Sequence, residues 1–129
     1  MGTVQRFEDL EIWQLARQIA KKVHLVTKDI PWQVSHGLVD QIRDSSGSAM
    51  DNIAEGFERE GNKEFKQYLY ISKGSTGETR SQLYRLLDQD LIDAKDFNDI
   101  YHDSVTLTRK IKTFISYLKD SDITGQKYR

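Results

Sequence analysis

The stretch Gly37–Phe57, GLVDQIRDSSGSAMDNIAEGF, has helical spacing but puts its smallest residues where a packing helix usually carries its largest. Leu38, Ile42, Ser45, Ala49, Ile53 and Phe57 lie three or four residues apart and so share one helical face. The middle of the stretch is Ser45-Ser46-Gly47-Ser48-Ala49. A glycine costs a helix about 1 kcal/mol against alanine, so a compensating gain is required. Small side chains provide one, because they let a neighbouring helix come closer than the usual ~8–10 Å. The segment therefore reads as the central packing helix of a bundle, with its glycines and hydroxyl residues at the contact.

The rest of the chain supplies partners for it. Ile12, Ala16, Ile19, Val23 and Val26 form one helical stripe, widened by Trp13 and Ala20 and stopped before Ile30-Pro31, since proline disfavours helical geometry in the residue before it. Ser35 is the expected N-cap of the second helix. Gly61 is the expected left-handed C-cap that ends it, and Asn62 the next N-cap. A long third helix follows on Phe65, Tyr68, Ser72, Ser75, Thr79, Gln82 and Leu86, again small and polar in its middle, with Gly74 and Gly77 added. Phe97, Ile100, Ser104, Leu107, Ile111, Phe114 and Leu118 keep the spacing through a fourth. The expected fold is all-α, an antiparallel up-down-up-down four-helix bundle. It forms a single domain over 1–129, with helices at about 9–28, 36–58, 63–88 and 94–119. Ser121–Arg129 is polar and expected to fray.

Composition narrows the function classes. The chain has no cysteine, which removes disulfides, thiol catalysis and cysteine-based zinc sites. Neither an apolar run of membrane-spanning length nor a signal-peptide pattern is present, so a cytoplasmic protein with no membrane partner is expected. The net charge of −1 gives no global pull toward nucleic acid, but the charge is unevenly spread. Asp88, Asp90, Asp93, Asp96 and Asp99 gather where the third helix meets the fourth. In an up-down bundle the opposite end collects Arg6, Arg59, Lys63, Lys66, Lys112, Lys119, Lys127 and Arg129. One acidic and one basic end are expected.

No catalytic, metal or cofactor site emerges. His24, His36 and His102 are dispersed, and none stands beside a serine in a nucleophile motif. A di-iron bundle needs Glu-x-x-His twice, whereas the chain offers only Asp99-x-x-His102. Gly74-Ser75-Thr76-Gly77 lacks both the nucleophile-elbow register and the lysine of a phosphate loop. Glu55 and Glu78 sit beside glycines on the small-residue helices and read as structural or interfacial acids. If buried, they need partners such as Asn52, Arg43 or Ser75. Phosphate contacts, if made, fall to Arg59, Lys63, Lys66, Lys73, Arg80 and the C-terminal bases, including Lys112 and Lys119. Tyr68 and Tyr70 are available for stacking, although tyrosine at helical spacing usually packs in a core.

Several runs resemble a known family. Gly37-Leu38-x-x-Gln41-Ile42-Arg43, followed by Ser48-Ala49-x-x-Asn52-Ile53-Ala54-Glu55-Gly56-Phe57, resembles the signature of the four-helix-bundle proteins encoded by intervening sequences in 23S ribosomal RNA genes. Lys63-Glu64-Phe65-x-x-Tyr68-Leu69-x-Ile71-Ser72-Lys73-Gly74-Ser75-x-x-Glu78 is similar to their third-helix motif, and Phe7-x-x-Leu10-x-Ile12-Trp13-Gln14-x-Ala16 to their first helix. The accessory proteins of diversity-generating retroelements are similar too. Met50-Asp51 and Thr79 depart from the usual pattern. The resemblance implies a ring-shaped homopentamer without enzymatic activity. It also implies that the matching residues Arg43, Asn52, Glu55, Gly56, Gly74, Ser75 and Glu78 are structural or interfacial. The expected function is a non-enzymatic oligomeric adaptor that binds RNA, or a nucleic-acid-associated protein, through its basic end. The alternative is a protein–protein scaffold with no nucleic-acid role.

Overall fold

A computed structural model describes residues 4–124 of the chain, so Lys127 and Arg129 of the expected basic end lie outside it. After a single 3-10 turn at Phe7–Asp9 come four helices: α1 Glu11–Thr27, α2 Trp32–Glu58, α3 Asn62–Asp88 and α4 Ala94–Thr124. They form an all-α up-down-up-down four-helix bundle. Each helix packs on its two neighbours in ring order, α1 on α2 and α4, α3 on α2 and α4, most densely between α2 and α3. The core is the 3-4 stripe of each helix: Ile12, Ile19 and Val23; Leu38, Ile42 and Ile53; Phe65, Leu69 and Leu83; Ile100, Leu107 and Ile111, all buried.

The turns show how the chain reverses. α2 is preceded within its range by one helical turn from Trp32, and the break expected at Ser35 is present, since Ser35 leaves helical dihedrals (φ −161°, ψ 54°) before the regular helix runs on from His36. At the α2–α3 turn the left-handed residue is Glu60 (φ 64°) and not Gly61. Gly61 is extended (φ −115°) and is the N-cap of α3, which moves Asn62 into the first helical position. The α3–α4 turn also uses a non-glycine in the left-handed region, Asp90 (φ 58°). The Leu91 N–H there reaches the Leu86 carbonyl at 2.9 Å and the Asp90 N–H reaches that of Leu87 at 3.0 Å, the paired bonds of a Schellman end. Asp93 then starts α4 by accepting from the Asp96 N–H at 2.8 Å. α4 continues beyond Lys119 to Thr124, into the stretch expected to fray.

The α2/α3 contact is a seam of hydroxyls. Ser45, Ser46, Ser72, Ser75, Thr76 and Thr79 are all buried. Ser72 donates across the seam to the Ala49 carbonyl at 2.7 Å, and Ser45 donates to Gln82 Oε1 at 2.6 Å while sharing a 2.8 Å bond with Thr79. Ser48 and Ser75 meet at 3.0 Å. Ser46, Thr76 and Ser104 instead bond back to their own helix, four residues earlier, at 2.8–2.9 Å. An unsatisfied buried hydroxyl costs about 1–3 kcal/mol, and this arrangement leaves each of these with an acceptor.

The glycines divide differently from the hydroxyls, and here the steric expectation needs correction. Among the described residues, only at Gly56 does the neighbouring helix leave no space for a side chain: a Cβ there would lie 2.6 Å from Tyr68 Cβ and 2.9 Å from Phe65 Cδ1. At Gly47 and Gly74 a Cβ would meet nothing within 4 Å. Helical phase explains the split. Gly47 and Gly74 fall outside the arc occupied by Ser45, Ala49, Ser72 and Ser75. They give α2 and α3 no closer approach within one chain.

Gly56→Ala and Gly74→Ala should therefore move stability in opposite directions. Urea denaturation should show a loss of about 1–3 kcal/mol for the first, from overpacking against Tyr68 and Phe65. It should show a gain of up to about 1 kcal/mol for the second, from helix propensity alone.

Candidate nucleic-acid interface

Two groups of cations stand out on this bundle, those tied to carboxylates and those gathered in one groove. The tied group sits at the ends and on two of the four inter-helix sides. Arg6 lies 3.5 Å from Asp9. Arg59 reaches Glu55 at 3.1 Å and Glu64 at 3.9 Å, donates to the Tyr68 hydroxyl at 2.8 Å, and lies 5.3 Å over the Tyr68 ring. The Tyr68 hydroxyl first, then Glu55 and Glu64, hold its guanidinium above the ordinary arginine range. On the α1/α4 side Lys110 pairs with Glu11 at 2.6 Å. Lys22 there pairs with Asp103 at 2.7 Å and Asp99 at 2.9 Å. Burial, the largest single influence on Lys22, lowers its pKa, yet the hydrogen bonds and charges of Asp103 and Asp99 together keep it above the usual lysine value. Exposed pairs such as Arg6–Asp9 and Lys110–Glu11 add little stability, but all of these pairs cancel charge locally.

The second group lines the furrow between α3 and α4. Arg80, Tyr101, Val105, Thr108, Arg109, Lys112 and Thr113 bound a groove of about 420 Å³ with no carboxylate in its lining. Arg80 donates to Thr108 Oγ1 at 2.6 Å, which fixes its guanidinium to the wall. Lys66, Lys73 and Arg80 are seven residues apart, and a seven-residue step returns to nearly the same helical face, with a drift of about 20°. Because Arg80 faces α4, Lys66 and Lys73 extend its line along the same side at intervals of about 10 Å. Lys112 stands opposite them on α4, and Lys119 follows seven residues on, exposed.

The groove's floor is aromatic and apolar. Tyr101 is half-buried and stacks on Phe97 (5.3 Å between centroids, 24° between planes), with Tyr84 edge-on at 5.6 Å. Tyr84 is 47% and Val105 38% exposed. A hydrogen bond with Tyr101, followed by burial and the Tyr101 charge, raises the Tyr84 phenol above the ordinary tyrosine value, with Arg80 opposing.

The residues singled out in the sequence separate accordingly. Lys73, Arg80 and Lys112, with Lys66 and Lys119 in line, come together along α3/α4, whereas Arg59 lies on the α2/α3 side among carboxylates. Lys63 is exposed in the first turn of α3, out of phase with the Lys66–Arg80 line. Concentration of charge along a flank, rather than at one end, is what helix pairing adds to the expected picture. Arg109 was visible only as one of several C-terminal bases. Tyr101 and Val105 were missed because a residue beside a core stripe looks like core.

Glu78 lines a second groove, of about 470 Å³, with Gln41, Asp44, Ser45, Ser48 and Gln82 on the outer α2/α3 face. Gly74 and Glu55 are exposed and Asn52 half-buried. Asn52 donates to the Ser48 carbonyl at 2.8 Å, and Ser75 is in the seam. Arg43 points to the other side, donating to the buried Thr27 hydroxyl at 3.1 Å. His24, His36 and His102 are exposed on three different helices, α1, α2 and α4, and no histidine shares the groove of Glu78. Among the described residues no group of three or more His, Asp or Glu is placed to hold a metal ion, and no helix is long and apolar enough to cross a membrane.

Comparison with known proteins places this geometry. The family model described as 23S rRNA-intervening sequence protein matches residues 8–113. Among solved structures, a protein of unknown function from the S23 ribosomal protein family of Bacteroides thetaiotaomicron superposes with a TM-score of 0.73 at 22% identity, over 81% of this chain and 97% of that one. At that identity the likeness carries the fold alone. No curated protein matches the chain.

The raised Tyr84 phenol has a pH consequence. The folded state keeps that proton to higher pH than the unfolded chain does, so the stabilisation is fully present below the ordinary tyrosine pKa of about 10 and is lost as pH rises through the folded value. Thermal melts across the alkaline range should show Tyr84→Phe losing less stability above that point than the unmodified chain.

Proposed function

This chain belongs to the 23S rRNA-intervening sequence protein family, and from that premise we propose that it is a non-enzymatic, oligomeric adaptor that holds RNA in the α3/α4 groove. The observation that carries the reading is the groove's lining, where Arg80, Arg109 and Lys112 converge with no carboxylate among them. Elsewhere Arg6, Lys22, Arg59 and Lys110 are each matched by an acid. A chain of net charge −1 attracts a polyanion only where its cations are segregated from its acids, and this groove achieves that. The motif likeness to accessory proteins of diversity-generating retroelements belongs to the same proposal and favours an RNA-associated setting.

Self-assembly is the second half of the reading. The resemblance implies a homopentameric ring, and the outer α2/α3 face is the surface suited to it: Gly74 leaves it flat, Ile71 is exposed there, and Gln41, Asp44 and Glu78 supply polar contacts. A ring would multiply the grooves and raise avidity for a long strand. One observation favours the alternative of a protein–protein scaffold. Trp32, 68% exposed and stacked on His36 at 4.2 Å, is an apolar knob beside the α1–α2 turn, the kind of residue that anchors protein partners.

Binding to a structured RNA with single-stranded loops, measured by fluorescence anisotropy at 50 and 200 mM salt, tests the first half. Contacts from Lys73, Arg80, Arg109 and Lys112 should weaken affinity about fiftyfold over that range, with the log–log slope near −3. Arg109→Glu with Lys112→Glu should flatten the slope, whereas Arg59→Glu should change it little. No binding at 50 mM sinks the proposal.

Light scattering tests the second half. The unmodified chain should run at five times the monomer mass, and Gly74→Leu should reduce it to monomer while the helical circular dichroism signal holds. A monomeric unmodified chain removes the ring.

A further inference from the structure

We infer that the α3/α4 groove seats one unpaired nucleotide, its base against Tyr101 and Val105 and its flanking phosphates on Arg80, Arg109 and Lys112, so that the protein selects single-stranded RNA over duplex. This rests on the RNA-binding reading above and narrows it to the strand state of the ligand.

The argument begins with what the groove has beyond positive charge. A surface that binds only phosphates needs cations and nothing else, and a duplex presents to a surface furrow little besides its backbone. Here the cations rim a floor of different chemistry. Val105 is 38% exposed and lies one turn along α4 from Tyr101, and both line the same cavity. Tyr101 is backed by Phe97, stacked at 5.3 Å, and braced edge-on by Tyr84. A ring supported from behind is a pre-set platform and loses little freedom when a base covers it. Aromatic platforms inside a cationic groove are how proteins grip unpaired strands, since every base has a π-face and within a duplex those faces are already stacked on the neighbouring pairs.

Size and geometry agree. The cavity of about 420 Å³ suits a single base and its sugar. A duplex is too wide for a furrow between helices packed ~8–10 Å apart. Arg109 and Lys112, three residues apart, share one side of α4. Arg80 rises from the α3 wall and reaches across to Thr108 of α4 at 2.6 Å. Cations contributed by both helices thus border the floor, within reach of the phosphates before and after a seated base. Gly77 keeps the rim low on the α3 side: its nearest neighbour for an added Cβ is the far end of Arg80, at 3.8 Å.

Three probes of one length decide the matter on the unmodified chain, read by fluorescence anisotropy at 50 mM salt: a labelled 12-nucleotide RNA, the same strand annealed to its complement, and an abasic strand of the same backbone. The RNA should bind from about fivefold to about a hundredfold tighter than the abasic strand, the range one stacked base supplies, and tighter than the duplex. Tyr101→Leu and, at the exposed neighbour, Val105→Gln should each shrink that preference while leaving abasic-strand affinity unchanged. Arg109→Glu with Lys112→Glu should weaken all three. Equal affinity for the three probes, with all three still lowered by the charge reversals, overturns this inference and leaves the RNA-binding proposal standing. A base preference that both floor variants leave intact also overturns it. Failure of every probe to bind overturns the RNA-binding proposal itself.

Discussion

The contact between α2 and α3 depends on one constraint: hydroxyls buried in a helix interface must find acceptors, and they find them either on their own helix or directly across the seam. Ser72 to the Ala49 carbonyl and Ser45 to Gln82 and Thr79 are the bonds that cross. A Leu–Leu contact at the same height would hold the helices apart by the thickness of two large side chains. Here the backbones approach until a serine hydroxyl reaches the opposing carbonyl. Nearer the turn, Gly56 does the same for Tyr68 and Phe65. With small residues on this side, the large core side chains (Phe65, Leu83, Leu107, Ile111) fill the space toward α1 and α4.

Charge follows the same geometry. Each inter-helix side brings two rows of flanking residues together, and on the sides joining α1 to α4 and α2 to α3 the rows are complementary: Lys22 with Asp99 and Asp103, Lys110 with Glu11, Arg59 with Glu64. The α3/α4 side is different, because Lys73 and Arg80 on α3 face Lys112 on α4 along a groove with no carboxylate in its lining. Like charges along one furrow repel, which costs stability and gains nothing for the isolated fold. A polyanion in that furrow reverses the sign of the term.

Much of this is legible in the sequence. The four stripes of 3-4 spacing named the core almost residue by residue, and the run of serines named the seam. The individual turns were harder. Gly61 looked like the left-handed residue, but Glu60 holds that conformation and Gly61 is extended. A helix end is set by where the chain must head next, and glycine is permitted in that conformation without being required there. Gly47 and Gly74 misled in the same way: they share a segment with the seam serines but not their helical phase.

What the sequence determined by itself was therefore everything that depends on local period: which segments are helices, which stripe of each is buried, that the second and third helices meet on small residues, and which lysines and arginines fall in line. The tertiary structure alone decided which rows confront each other. Arg59 is cancelled and Arg80 is not, and Tyr101 floors a groove instead of filling a core. The physical reason is that helical phase comes from residues three and four apart. Whether a given phase meets a carboxylate, an aromatic ring or open space depends on a helix distant in the chain, and only packing brings that helix alongside.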